Sequence, residues 1–171
     1  GAWPELSGAP AFNLDYAEIP PIRQDTIFAA AKRAGIQTAA AGYNYFEKLL
    51  LPETLDASFF TAGEDAAADE TVIAAALPWL DSGDYGLVLI HIDQVDYAGH
   101  HQGGPLSPEW NAAAGRADAL LGQILAHVDL TRDTLLVISD HGQVMANGVG
   151  GHGGQDPETL LEPFVLAGAY V

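Results

Sequence analysis

The sequence predicts an α/β fold in which a mostly parallel sheet is sandwiched between helices. Segments with helical and with strand patterns alternate along nearly the whole chain, an order that is typical of parallel sheets covered by helices. The chain has 171 residues, 49% of them hydrophobic, and it contains no sequence repeat and no linker segment. This length suits one hydrophobic core, so we expect residues 1–171 to form a single α/β domain.

Three helices are predicted, over residues 24–35, 63–77 and 107–128. In the first, Asp25 is a good N-cap and Gly35 suits the residue that follows a helix end. The second is acidic in its first turns, and Pro78 is expected to mark its end. The third has Ser107 as its cap, Pro108 at its first position and apolar residues at three-to-four spacing.

Four strands are predicted, over residues 36–43, 85–92, 134–140 and 162–168. The second and third are short apolar runs bounded by turn residues, a pattern that predicts buried strands. Together with the helix between them, these two are expected to form one right-handed crossover unit. Because ligand sites in parallel sheets form beyond the carboxyl ends of the strands, polar residues after position 92 and after position 139 are expected to meet.

Two polar motifs lie at these strand ends. In "DYAGH", Asp96 and His100 are four residues apart, so they share a face if the segment is helical, whereas Gly99 favours a tight turn. Either geometry could bring both side chains to one ion, although such a pair is usually an ordinary hydrogen-bonded or surface pair. In "SDHG", Asp140 and His141 are adjacent, and both can face one ion if the strand ends there.

A third motif, "GVGGHGG" at residues 148–154, isolates His152 among glycines that let backbone approach a ligand closely. The three motifs together offer five candidate ligands with nitrogen or oxygen donor atoms, which suit zinc or manganese: Asp96, His100, Asp140, His141 and His152. They could form a hydrolytic site for two ions, but such a site would need at least one more protein ligand. Asp93 and His101 are predicted to orient the ligating imidazoles. His91 lies inside an apolar run and is predicted to be a core histidine.

The charge balance restricts the ligands that the chain can bind. With 23 acidic and 6 basic residues, the formal net charge is −17, and such a surface repels nucleic-acid polymers and anionic membranes. The charge either serves solubility alone or concentrates cations. Because the chain contains no cysteine, a metal must be held by histidine, aspartate and glutamate. No apolar run is long enough to span a membrane.

The order and spacing of the three motifs resemble the alkaline phosphatase superfamily, most of all its type I phosphodiesterase/nucleotide pyrophosphatase branch. The family pattern "DxxGH" matches residues 96–100, "DHG" matches 140–142 and "GxHG" matches 150–153. The resemblance implies a truncated alkaline phosphatase-like core and two divalent ions, zinc or alternatively manganese. One ion would be held by Asp96, His100 and His152, and Asp140 and His141 would help to hold the other.

The N-terminal stretch "GAWPELSGAPAFN" resembles the family segment just after the nucleophile, which would make Asn13 a contact to a phosphoryl oxygen. The family's threonine or serine nucleophile and one aspartate ligand would then precede Gly1. The resemblance therefore implies an internal fragment of a larger phosphodiesterase or phosphatase catalytic domain, inactive by itself. The parent enzyme would hydrolyse small phosphate esters through a covalent phospho-enzyme.

Two alternatives stay open at the level of sequence. The chain could come from a mutase or sulfatase of the same superfamily, which the missing nucleophile would distinguish. It could also be a non-catalytic metal-binding or interaction domain. The sequence leaves the oligomeric state and the localisation undetermined, and it allows an extracytoplasmic or membrane-anchored parent protein.

Overall fold

The computed structural model describes residues 4–10, 14–22, 24–63 and 65–171. The chain divides into two compact units, Gly1–Ile92 and Asp93–Val171. The first unit contains α1 (Pro4–Ser7), α2 (Ile27–Arg33), β1 (Thr38–Tyr43), α3 (Asn44–Leu49), β2 (Ala57–Thr61), α4 (Ala66–Ser82) and β3 (Leu87–Ile90). The second contains α5 (Gln94–His101), α6 (Pro108–Leu125), β4 (Thr134–Ile138), β5 (Val144–Ala146), β6 (Val149–Gly151), α7 (Pro157–Leu160) and β7 (Phe164–Gly168).

The first unit is built on a three-stranded parallel sheet in the order β2-β1-β3. The alanines of the central strand β1 are completely buried. On one face Ala40 packs with Phe28 of α2, and on the other Ala41 packs with Val72 and Ala76 of α4. Helices thus cover both faces of a parallel sheet, which confirms the predicted α/β class.

The helix ends show which capping predictions were correct. Gly35 follows the end of α2 with φ of +73°, as predicted for a left-handed residue at that position. The N-cap is Thr26, whose Oγ1 accepts a hydrogen bond from Ala29 N at 3.1 Å, so the prediction of Asp25 as the cap was wrong. Asp25 instead pairs with both terminal nitrogens of Arg33, and this ion pair uses the carboxylate that a cap would need.

Pro78 does not end α4, contrary to the prediction. The helix begins after its N-cap Asp65 and continues through Pro78 to Ser82, where Gly83 adopts the left-handed conformation with φ of +69°. Proline removes one backbone hydrogen bond within a helix. Packing of Val72 and Ala76 against the sheet supports the turns on the N-terminal side of the proline.

The second unit contains two antiparallel pairs, β4 with β7 and β5 with β6. Within this unit β4 is hydrogen-bonded to β7, and the crossover predicted to join β4 to the strand before α5 stays a prediction. The strand predicted over 134–140 forms at Thr134–Ile138, but the prediction that it is buried was wrong, since Leu136 and Ile138 are 48% and 57% exposed. A continuous apolar run predicts a strand, but it does not show whether the neighbouring strand is parallel or antiparallel, or whether the strand has a neighbour on one side or on both.

Asn147 and Gly148 connect β5 to β6 with φ angles of +54° and +85°. Positive φ at both residues of a two-residue loop is the geometry of a tight hairpin turn. This hairpin, which the sequence analysis did not predict, leads directly into His152. None of the helices in the described ranges combines the length and apolarity needed to cross a lipid bilayer. That residues 1–171 form one domain stays a prediction.

Candidate metal centre

Helix α5 places Asp96 and His100 on one face. The segment is helical, with Asp93 as its N-cap and the Tyr97 N–H donating to the Asp93 carbonyl at 3.1 Å. One turn apart, His100 Nε2 lies 3.5 Å from Asp96 Oδ1. The helix includes Gly99, so the tight turn that this glycine had favoured does not form.

His141 approaches the same carboxylate from the connection between β4 and β5. Its Nε2 lies 4.0 Å from Asp96 Oδ1, and its Nδ1 lies 3.0 Å from the carbonyl oxygen of Gly142. A proton on Nδ1 would donate to that carbonyl and leave the Nε2 lone pair facing Asp96. This arrangement, in which the second ring nitrogen is held by a backbone carbonyl, is usual for histidines that bind metals.

His152 follows the β5–β6 hairpin and completes the cluster. Its Nε2 lies 3.7 Å from Asp96 Oδ1, and its ring stacks on His141 with centroids 3.7 Å apart and an interplanar angle of 18°. Burial lowers the pKa of His152 below the usual histidine value, and the neighbouring His141 lowers it further. The lowered pKa favours the neutral imidazole, the form that ligates metals.

The Asp96 carboxylate and the imidazoles of His141 and His152 offer donor atoms that lie within 4.8 Å of one another. A tetrahedral ion with bonds of about 2.0–2.1 Å separates neighbouring donors by about 3.3 Å. The distances of 3.5, 3.7 and 4.0 Å from Asp96 Oδ1 to His100, His152 and His141 are close to this edge length. Asp96, His141 and His152 therefore form a group that could hold a metal ion.

The other predicted site residues lie at the margin of this cluster or outside it. Asp140 is 72% exposed, and its Oδ2 is 3.7 Å from His141 Nε2. His101 is exposed and packs its ring against Tyr97, with centroids 4.6 Å apart. Asp93 is the N-cap of α5, and Asn13 lies outside the described residues. The division of the ligands between two ions stays a prediction.

His91, predicted to be a core histidine, belongs to the first unit and not to this cluster. It is half-buried and packs against Phe46, with ring centroids 4.6 Å apart. Its Nδ1 faces the Tyr43 N–H at 3.5 Å.

Gln143 contacts the cluster, although sequence reasoning did not identify it. Its side-chain amide donates to Asp96 Oδ1 at 2.6 Å. The two residues are 47 positions apart, and glutamine has no charge or ligand preference that would single it out in a motif. Its place directly after "DHG" was the one available signal.

The chain is similar to proteins of a known family. The sequence profile of the type I phosphodiesterase / nucleotide pyrophosphatase family matches residues 10–153. Among curated proteins, the mouse GPI ethanolamine phosphate transferase 3 catalytic subunit is 27% identical over 138 residues, which cover 78% of this chain and 12% of the relative. The human counterpart matches equally, with 27% identity over 138 residues.

Solved structures share the fold. Human ectonucleotide pyrophosphatase / phosphodiesterase 5 matches with a TM-score of 0.53 and 22% identity, covering 70% of this chain and 32% of the other. An inactive variant of the murine protein in complex with AMP matches with a TM-score of 0.55, 22% identity and the same coverage. A protein from Pyrococcus horikoshii matches with a TM-score of 0.53 and 20% identity, covering 82% of this chain and 40% of the other. The chain thus spans well under half the length of each of these relatives.

Proposed function

Because the chain belongs to the type I phosphodiesterase / nucleotide pyrophosphatase family, we propose that it supplies the metal-binding part of a metal-dependent hydrolase of phosphoric ester bonds. One observation carries the proposal: a carboxylate and two imidazoles from three separate segments present donor atoms within 4.8 Å of one another. Zinc is the ion that this mixture of nitrogen and oxygen donors suits best, with manganese as the alternative.

The resemblance implied that Asp96, His100 and His152 hold one ion and that Asp140 and His141 help to hold the other. We propose instead that Asp96, His141 and His152 hold the first ion, because their donor atoms lie within 4.8 Å of one another. His100 lies beside them, and the exposed Asp140 would help to hold a second ion. When bound, such ions act as Lewis acids toward the oxygens of a phosphoryl group. The Asp96 carboxylate offsets part of the positive charge, and the neutral imidazoles contribute lone pairs without adding charge.

Support for the proposed substrate class comes from the family and from one structural neighbour. The murine structural neighbour holds AMP, so a nucleotide or another small phosphate ester is the proposed ligand of this chain. Hydrolysis of a phosphodiester breaks one P–O bond and adds water, leaving a phosphate monoester and an alcohol. Because no residue here matches the family's nucleophile, we expect the 171-residue chain to bind metal and ligand without turnover.

A second candidate is phosphotransfer to an alcohol, which the match to the GPI ethanolamine phosphate transferases favours. The two reactions share the ions and differ in the acceptor, water or a hydroxyl group. If the chain is active on a chromogenic phosphodiester, adding an amino alcohol will distinguish them. Hydrolysis yields the phosphate monoester alone, whereas transfer yields a new diester that mass spectrometry detects.

The test is calorimetric titration of the chain with Zn²⁺, followed by AMP. We expect Zn²⁺ to bind, and we expect His152→Ala and Asp96→Asn to weaken the affinity by at least about tenfold. His127→Ala removes an imidazole that follows α6 and lies outside the cluster, and it should bind as the parent chain does. AMP should bind only when Zn²⁺ is present.

Two outcomes would contradict the proposal. If the parent chain binds no Zn²⁺, or if His127→Ala and His152→Ala weaken it equally, the cluster is not the metal site. Turnover of the chromogenic diester that His141→Ala abolishes would support the reaction class and refute the expected inactivity of the chain.

A further inference from the structure

Gln143 links the Asp96 carboxylate to α6. Its Nε2 donates to Asp96 Oδ1 at 2.6 Å and faces the Asp96 backbone carbonyl at 3.2 Å. Its Oε1 accepts a hydrogen bond from the indole Nε1–H of Trp110 at 3.2 Å. Both ends of one side-chain amide are thus occupied, one by a carboxylate of the metal cluster and the other by a residue of a different helix.

The indole determines which way the amide is turned. Tryptophan Nε1–H is a donor only, and an ionised carboxylate is an acceptor only. If the amide were reversed, its NH₂ would face a donor and its oxygen would face a carboxylate. Trp110 therefore keeps the NH₂ group of Gln143 directed at Asp96.

Gly99 makes room for this amide. A Cβ atom at position 99 would lie 1.7 Å from Oε1 and 2.5 Å from Nε2 of Gln143. The amide therefore lies directly over the Cα of Gly99, one helical turn along α5 from Asp96. This contact explains why the fourth position of the "DYAGH" motif is a glycine, because any side chain at position 99 would displace the Gln143 amide.

The contact leaves the carboxylate ready to ligate. An Oδ1 atom carries two lone pairs, and Gln143 takes one of them. The other is not used by Gln143, and the Nε2 atoms of His100 and His152 lie 3.5 and 3.7 Å from the same oxygen. A carboxylate fixed in this way loses less rotational freedom when an ion binds, since that freedom is already restricted by the amide.

We infer that Gln143 is a positioning residue of the metal centre: its amide, oriented by Trp110, holds the Asp96 carboxylate in the geometry that binds the ion. This inference rests on the proposed function. Partners that orient metal ligands in this way typically change metal affinity by about 10–100-fold when they are removed.

The experiment uses the full chain and Co²⁺, whose visible absorption reports both binding and coordination geometry. We expect Gln143→Met to weaken Co²⁺ affinity by about tenfold or more. We also expect it to alter the spectrum at saturation, which a loss of general stability would leave unchanged. Gln123→Met, at an exposed position of α6, is the matched control and should retain the parent affinity and spectrum.

Trp110→Phe tests the same contact without altering position 143. It removes the indole donor, frees the amide to rotate and should weaken Co²⁺ binding in the same direction. If circular dichroism shows that Gln143→Met does not fold, Trp110→Phe alone tests the positioning role of Gln143.

The failures of the two proposals are distinguishable. If the parent chain binds Co²⁺ and both Gln143→Met and Trp110→Phe match Gln123→Met in affinity and spectrum, the positioning role is refuted while the metal site stands. If the parent chain binds no Co²⁺, the metal site itself is refuted and the positioning role with it.

Discussion

The Asp56 carboxylate connects strand β1 to helix α2 in the first unit. One carboxylate oxygen pairs with the ammonium group of Lys32 on α2, and the other accepts the backbone N–H of Thr38 at 2.8 Å. These contacts, the side-chain bond from Lys32 foremost, lower the pKa of Asp56 below the usual aspartate value. The ionised form is therefore favoured by folding.

The sign of the resulting pH dependence follows from linkage. Because the folded pKa is lower than the unfolded one, the stabilisation is fully present above the unfolded value of about 3.9. It is lost as the pH falls through the lower, folded value. We expect Asp56→Asn to lower the urea midpoint at pH 7, with the difference from the parent chain shrinking below about pH 4.

Urea unfolding followed by circular dichroism at several pH values measures this effect. Asp118→Asn changes the formal charge by the same amount at an exposed position of α6, and it should leave the pH 7 midpoint nearly unchanged. A difference between Asp56→Asn and the parent chain that grows as the pH falls would contradict the assigned direction.

At the scale of residues, the sequence could identify atoms that bind metals but not the neutral atoms that orient them. Asp96, His100, His141 and His152 were predicted from residue type and spacing, and the structure brings them together around one carboxylate oxygen. Gln143 was missed because its role depends on Trp110 and Gly99, which are close to it only in the folded chain.

At the scale of elements, α5 and β6 approach each other through two glycines. A Cβ atom on Gly150 would lie 2.3 Å from the carbonyl oxygen of Gly99 and 2.6 Å from its carbonyl carbon. Since these are backbone atoms, they cannot move aside without moving the helix. Asp96 and His100 lie on α5, and β6 leads into His152, so this approach sets the width of the metal cluster.

We expect Gly150→Ala to separate α5 from β6, to reduce stability by about 1–3 kcal/mol as overpacking does, and to weaken Zn²⁺ binding. Gly115→Ala on α6 is the control, because nothing lies within 4 Å of the added Cβ. That change should be neutral or should stabilise the helix by roughly 0.5–1 kcal/mol. Urea unfolding and calorimetric Zn²⁺ titration of both variants provide the comparison, and equal values would refute the role of the close approach.

Prediction of the elements succeeded where a local signal determined them. The pattern of 107–128 placed α6, and the Ser107 side chain accepts from Trp110 N at 3.1 Å as an N-cap. The Asn147-Gly148 pair was a local signal for the hairpin that was overlooked. The pairing of β4 with β7 could not be predicted, because the choice of a strand's partner depends on contacts 26 to 34 residues distant along the chain.

At the scale of the whole molecule, the net negative charge should affect the binding of cations more than any single ion pair does. The formal charge of −17 comes from 23 acidic residues against 6 basic ones. A field of this sign raises the local concentration of cations around the protein. It should therefore contribute to the binding of a divalent ion beyond the contribution of the ligands themselves.

Screening offers a direct measurement of this contribution. Raising the ionic strength from about 0.01 M to about 0.1 M shortens the Debye length from about 30 Å to about 10 Å. We expect the Zn²⁺ affinity to fall over this range, because carboxylates remote from the cluster no longer act on the ion. The variant Asp118→Asn/Glu162→Gln, which neutralises two exposed carboxylates, should bind Zn²⁺ more weakly at low salt and as the parent does at high salt. An affinity that is independent of salt in both proteins would assign the negative charge to solubility alone, which is the alternative that the composition left open.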